Sequence, residues 1–245
     1  SAVVVSCSTI ASQVGRDILR AGGNAVDAAV AVGFALAVVH PEAGNIGGGG
    51  FLLYREAKGP VYALDYREMA PSGASRDMYL DPDGDPTNLS VTGALAAAVP
   101  GSPAGLLEMH QRFGRLPFAQ VIDPAIKLAN EGYVVDQYRR ESIGDDMSRL
   151  YLFPASRAQF LPNDQPPVVG STLVQRDLGK TLERIRDKGA AGFYTGTTAD
   201  LIVAEMERSG GLITHADLAN YKTYWRDPIV LTYRGDTVYS MPPAS

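Results

Sequence analysis

The stretch from Asn45 to Pro71 holds the residue types best suited to chemistry. Asn45-Ile46-Gly47-Gly48-Gly49-Gly50-Phe51 places four consecutive glycines after a long apolar segment, and Asp65-Tyr66-Arg67-Glu68-Met69-Ala70-Pro71 follows two short apolar runs. Four glycines in a row describe a backbone that no side chain crowds. Arg67, at the end of a buried-looking run, is a permanent planar cation that can hold a carboxylate through two parallel hydrogen bonds. Together they suggest a site that binds a carboxylate close to main chain. Taken by itself, Arg67 fits a structural arginine paired with Glu68 or Asp65 better, because most charged side chains make such pairs.

The glycine run invites a phosphate reading, and its context argues against one. A Walker loop needs a lysine followed by serine or threonine, and neither follows Gly50. A dinucleotide fingerprint needs a strand before the glycines and a helix after them. Here the predicted order is helix, glycines, strand. Two readings remain: tight packing at a helix-to-strand corner, or the floor of a pocket.

Other candidates carry less. Glu68 can orient Arg67 but is not read as catalytic. His40 precedes Pro41 at a helix end and reads as a capping or packing residue. His110 and His215 lie on predicted helices and read as solvent-facing. Asp27 interrupts an apolar helix, so it requires partners if buried; the sequence names none. Cys7 is the only cysteine. It cannot form an internal disulfide and reads as a small buried apolar residue. No Cys/His cluster has metal-ligand spacing.

The elements that must position these residues follow from periodicity and punctuation. Residues 1–6 are valine-rich and predict a strand. Ser8 and Thr9 can cap a helix from about Ser12 to Ala21, which Gly22-Gly23 ends. Asn24 can cap a second helix, Ala25–Val39, apolar on nearly all sides and therefore buried between layers. His40-Pro41 stops it. Phe51–Arg55 and Val61–Tyr66, joined by a turn at Lys58-Gly59-Pro60, predict an antiparallel hairpin. Residues 78–91 form an exposed loop. Helices are predicted from the Pro100-Gly101-Ser102-Pro103 start to Phe113, over Ala125–Asn130 beginning at Asp123-Pro124, and onward to about Tyr151. Pro154–Pro167 reads as irregular. Two amphipathic helices follow, Gln175–Lys188 and Thr197–Ser209, ended by Gly210-Gly211. Thr214 and Asp217 have capping-box spacing for a short helix to Tyr221. Ile229–Tyr233 and Thr237–Ser240 form a second hairpin. No repeat and no linker is visible, so residues 1–245 read as a single α/β or α+β layered domain. An isolated hairpin is marginal and an unpaired edge is a liability, so the terminal strands are expected to pair with something outside this chain.

Composition bounds the function. Hydrophobic content of 45% and charged content of 20% are ordinary for a globular protein, and a net charge of −5 argues against nucleic acid or an anionic membrane as partner. The longest apolar run, Ala28–Val39, is shorter than the roughly 20 residues a membrane helix needs. The first residue is Ser1 rather than Met, which leads us to expect a trimmed chain whose targeting segment has been removed.

The motifs, in order, resemble the γ-glutamyltransferase (γ-glutamyltranspeptidase, glutathione hydrolase) family. They are Gly22-Gly23-Asn24-Ala25-Val26-Asp27-Ala28-Ala29, His40-Pro41, Gly44 to Phe51, Arg67-Glu68-Met69-Ala70-Pro71, Pro100-Gly101-Ser102-Pro103-Ala104-Gly105, Gly210 to Thr214 with Asp217-Leu218-Ala219, and Tyr239 to Pro243. The series covers nearly the whole chain.

The resemblance implies an N-terminal-nucleophile hydrolase with an α+β, four-layer αββα sandwich, of which this chain supplies the large-subunit portion. It implies a precursor that cleaves itself, and a partner small subunit whose new N-terminal threonine attacks the γ-glutamyl amide of glutathione or a related small molecule. Water or an acceptor amine then completes hydrolysis or transfer. No threonine here occupies the nucleophile motif, so the resemblance implies no catalytic residue in this chain. Arg67 matches the family arginine that pairs with the α-carboxylate of the γ-glutamyl group, and this reverses the structural reading given above. No cofactor or metal is implied, and the location implied is periplasmic or secreted. Alternatives on the same fold are a cephalosporin acylase or a poly-γ-glutamate-processing enzyme; an inactive fragment or binding module is the non-enzyme alternative.

Overall fold

The structure, a computed structural model, describes residues 2–243. In chain order the elements are α1 (Thr9–Arg20), α2 (Ala25–Val39), β1 (Phe51–Arg55), β2 (Val61–Asp65), α3 (Ser102–Phe113), α4 (Phe118–Glu131), β3 (Tyr133–Val134), α5 (Gln137–Asp145) and α6 (Met147–Leu150). They continue with α7 (Pro154–Phe160), β4 (Thr172–Leu173), α8 (Arg176–Lys188), α9 (Ala191–Tyr194), α10 (Gly196–Ser209), α11 (His215–Ala219), β5 (Tyr224–Arg226), β6 (Ile229–Tyr233) and β7 (Asp236–Ser240). The chain divides into two compact units, and each is discontinuous. One comprises the residues up to Asn45 with Arg115–Asp187; the other comprises Ile46–Gly114 with the chain from Lys188 onward. A boundary that the chain crosses three times leaves no linker for composition to reveal.

The first unit is helical and built around α2. This helix packs against α1 and α4, and Val30, Ala31, Phe34, Ala35 and Val38 are fully buried on it. Its start is set by Asn24, whose side chain accepts from the Asp27 N–H, while the Asp27 carboxylate accepts from the Asn24 N–H. Asp27 is itself fully buried. Its carboxylate also accepts the backbone N–H groups of Arg115 (3.0 Å) and Leu116 (3.3 Å), which lead into α4. That is the partner set the sequence could not name.

The far end of α2 leaves carbonyls without helical partners, and two side chains supply donors. Gln175 Nε2 reaches Val38 O at 2.7 Å, and Arg139 Nη2 reaches Val39 O at 2.6 Å. Arg139 is buried and ion-paired with Glu42, which also faces His40 Nδ1 at 3.0 Å. A cation at a helix C-terminus also complements its dipole.

The second unit holds the sheet β1-β2-β5, antiparallel throughout, with Phe51 opposite Asp65 and Ala63 opposite Arg226. Tyr62 and Phe113 lie 4.8 Å apart and Tyr62 and Trp225 6.2 Å apart. Arg112 stacks 4.1 Å over Trp225, whose indole N–H donates to Glu108. These contacts seat α3 against the sheet. The β6–β7 hairpin is a separate two-stranded sheet with Val230, Leu231 and Tyr233 exposed.

Several expectations are corrected. Residues 2–6 form no strand and pair with no described strand, while Ser1 lies outside the described residues. Helix α4 begins at Phe118 and passes through Pro124. Burial of Val121, Ile122 and Ala125 outweighs the one hydrogen bond that proline cannot donate. Residues 154–160 are helical rather than irregular, because Pro154 sits in the first turn, where its fixed φ suits a helix start. The strands β3, β4 and β5 have only two or three residues each, too short for a period-2 pattern to register. Cys7 is exposed, not buried.

Candidate functional site

Arg67 lies two residues beyond β2 and is exposed. The chain around it is held from several sides. On one side, Tyr66 continues the ladder to Gly50, with its N–H on Gly50 O at 3.0 Å. On the other, Met69 and Val99 exchange backbone hydrogen bonds of 3.2 and 2.8 Å. The glycine run is needed here for close approach. A Cβ on Gly49 would stand 2.6 Å from both Glu68 N and Tyr66 O. Gly48 contributes its carbonyl, which accepts from Gly101 N (2.8 Å) and Ser102 N (2.9 Å) at the start of α3. Of the two readings of the glycines, the contacts at Gly48 to Gly50 match tight packing, and what they pack against is the strand exit that carries Arg67.

The Pro100 to Gly105 motif completes the arrangement. A Cβ on Gly105 would run into the Tyr66 ring, and one on Gly101 would meet Tyr66 O and the Tyr221 hydroxyl. Gly101 and Gly105 are one helical turn apart and so face the same neighbour.

Side chains then fix the segment. Asp65 is buried; its Oδ1 accepts the Arg67 N–H at 3.0 Å, and its Oδ2 accepts Arg226 Nε at 2.9 Å, with Arg226 Nη2 at 2.8 Å. Tyr221 Oη donates to Arg67 O at 2.9 Å. Asp217 accepts Ser72 N at 2.9 Å while capping α11 through Thr214. Burial works against the charge on Asp217, but the hydrogen bonds from Ser72 and Thr214 outweigh it and hold the carboxyl below its usual range. Burial pushes the phenols of Tyr66, Tyr194 and Tyr221 up.

The arrangement can present a permanent cation from a rigid backbone. Glu68 lies beside Arg67 and is exposed. The other residues singled out in the sequence are elsewhere. Asp27 and His40 belong to the helical unit, where His40 is buried beside Glu42 and Arg139. His110 is half-buried on α3 rather than solvent-facing, and His215 is exposed and paired with Asp200 at 2.9 Å. Among the described residues no group of three His, Cys, Asp or Glu could hold a metal ion, and no helix is long and apolar enough to cross a membrane.

Sequence reasoning missed Tyr221, Arg226 and the Asp217–Ser72 link. Each acts across more than 140 positions, for example 154 between Tyr221 and Arg67. The one local signal was the pair of glycines four apart in the Pro100 to Gly105 motif, which asks for a bulky neighbour that turns out to be Tyr66.

Residues 11–245 match the family model described as gamma-glutamyltranspeptidase. The chain is 48% identical to the glutathione hydrolase proenzyme of Escherichia coli K12, across 99% of this chain and 42% of that protein. It is 49% identical to the glutathione hydrolase proenzyme of Pseudomonas aeruginosa, across 94% and 41%. The crystal structure of Helicobacter pylori gamma-glutamyltranspeptidase superposes with a TM-score of 0.98 at 46% identity, covering 100% of this chain and 70% of that one. The chain therefore spans less than half the length of these curated relatives and supplies part of an N-terminal-nucleophile-hydrolase fold of mixed helix and sheet. On the match to residues 11–245 and on these identities, the chain belongs to the γ-glutamyltranspeptidase family.

Proposed function

We propose that this chain is the large-subunit portion of an enzyme that hydrolyses, and transfers the γ-glutamyl group from, glutathione and related γ-glutamyl compounds. Arg67 is the residue of this chain that binds donor substrate. Its guanidinium pairs with the α-carboxylate, away from the scissile amide, so the donor is anchored and turned for attack. The nucleophile is a threonine outside this chain, activated by its own α-amine, whose pKa of about 7.7–8.0 suits it to take the hydroxyl proton near neutral pH. The attack breaks the γ-glutamyl amide, the departing amine takes up the proton drawn from the hydroxyl, and the γ-glutamyl ester left on the threonine is resolved by water or an acceptor amine.

The observation that carries this reading is Arg67, standing in the family's arginine motif and held by its main chain at the exit of β2. The partner is the remainder of the same precursor. In support, the curated relatives are more than twice as long as the matched region, and β6–β7 exposes Val230, Leu231, Tyr233 and Val238. An exposed apolar two-stranded sheet is a surface that proteins ordinarily cover. A periplasmic or secreted location follows from the family resemblance alone.

Steady-state kinetics of Arg67→Ala in the intact enzyme test the reading. Loss of a charge-assisted contact worth about 2–4 kcal/mol predicts a fall in kcat/KM of about 30- to 700-fold on a γ-glutamyl anilide, with KM raised. Wild-type kinetics in the fully processed variant would refute it. The same assay on a glutaryl cephalosporin, whose acyl group keeps the terminal carboxylate and lacks only the α-amine, separates this enzyme from an acylase: the proposed activity is greater on glutathione.

A further inference from the structure

Both main-chain polar groups of Arg67 are taken by side chains rather than by a strand ladder. The N–H donates to Asp65 Oδ1 at 3.0 Å, and the C=O accepts from Tyr221 Oη at 2.9 Å. The first bond is local. The second comes from the segment between α11 and β5, and nothing in the family motifs points to it.

We propose that Tyr221 is a positioning residue for Arg67: its hydroxyl fixes the Arg67 carbonyl, and with it the direction in which the guanidinium leaves the backbone. The proposal rests on the reading of Arg67 as the carboxylate-binding residue.

The hydroxyl is well placed for such a role because its own position is over-determined. The Tyr221 ring stacks on Tyr194, with centroids 5.5 Å apart and planes at 8°. Tyr194 Oη donates to Pro100 O at 2.8 Å and accepts from Ala104 N at 3.2 Å, which ties the stack to the first turn of α3. Gly101 leaves no spare room, since a Cβ there would strike both the Tyr221 hydroxyl and Tyr66 O. The Arg67 N–H is held by Asp65, which two nitrogens of Arg226 hold in turn. The main chain of Arg67 is thus held on both sides of its Cα, at the N–H and at the C=O, by groups that are themselves fixed.

Why this matters for binding is geometric. A bidentate guanidinium–carboxylate pair tolerates misplacement of only about 0.5 Å and 10–20°. A long side chain turns a small rotation of its peptide into a larger displacement at its tip. Freeing the carbonyl weakens the fork without removing the charge.

The test is a double-mutant cycle in the intact enzyme, with Tyr221→Phe, Arg67→Ala and the double variant assayed on a γ-glutamyl anilide. Tyr221→Phe keeps the ring stack and deletes one hydrogen bond. It is expected to raise KM about five- to tenfold, with kcat within about twofold of wild type. In the Arg67→Ala background the same change is expected to raise KM no further, because the hydroxyl then has no guanidinium to direct. An unchanged KM in Tyr221→Phe overturns the proposal, and so does an equal fold-change in both backgrounds, which is the signature of a hydroxyl that only supports the fold. An impaired Arg67→Ala beside a wild-type Tyr221→Phe removes Tyr221 alone. A wild-type Arg67→Ala removes the reading of Arg67 and this proposal with it.

Discussion

Asp27 offers the sharpest test of how this chain is held together. It is a fully buried carboxylate on α2 that accepts three backbone N–H groups: Asn24 at 2.8 Å, Arg115 at 3.0 Å and Leu116 at 3.3 Å. Asp27→Ala leaves those donors without their acceptor. A hydrogen bond to a charged group contributes about 1.5–3 kcal/mol, with the 3.3 Å bond at the weak end. Relief of the buried charge and the better helix propensity of alanine recover part of the loss, the latter about 0.5 kcal/mol. The expected net destabilisation is about 3–5 kcal/mol, with Asp27→Asn smaller because it keeps one carbonyl acceptor. Urea unfolding of the intact protein, followed by circular dichroism, measures the total. Hydrogen exchange locates it, with faster exchange expected at the Arg115 and Leu116 amides. A change below about 1 kcal/mol, or unaltered exchange at those two amides, would show that the buried carboxylate does not join α2 to the start of α4.

Two further outcomes follow from the neighbourhood of Arg67. Gly105→Ala places a methyl group into the Tyr66 ring. Alanine is ordinarily better in a helix by about 1 kcal/mol, but overpacking costs about 1–3 kcal/mol. A lower melting temperature is therefore expected, with a raised KM for the donor because Tyr66 adjoins Arg67; a stabilised variant with wild-type KM would contradict the packing described. Asp217 sets a pH dependence. Its folded pKa is depressed, so its contribution is complete above the ordinary carboxylate value of about 4 and is lost as pH falls through the folded value. Asp217→Asn should therefore be less stable than wild type at pH 6 by about 1 kcal/mol, the size of a helix cap. The two proteins should converge at the acid end of a denaturation series, and a gap that stays constant down to pH 2 would rule this out.

Much of the architecture was legible in the residues. Ala25–Val39 formed with the expected bounds, because a capping asparagine, an unbroken apolar run and a following His-Pro are local signals. The β1–β2 and β6–β7 hairpins and the Thr214–Asp217 box read correctly for the same reason: turn residues and caps act within four positions. The position of Arg67 in its motif was also plain from the sequence. Elements decided by distant packing were not. Residues 2–6 look like a strand, yet a strand exists only beside a partner, and no described strand pairs with them. Pro124 looks like a start signal, yet buried side chains on both sides of it carry the helix through.

The amino-acid order by itself determined where α1, α2 and α11 are capped and where Gly210 ends α10. Those choices rest on backbone sterics and on hydrogen bonds between near neighbours. Only the tertiary structure decided what the glycines make room for, which donors Asp27 accepts, and that Tyr221, Arg226 and Asp217 converge on the strand exit bearing Arg67. A hydrogen bond across 154 residues leaves no trace in spacing or composition, because its two ends are brought together by the burial of everything between them.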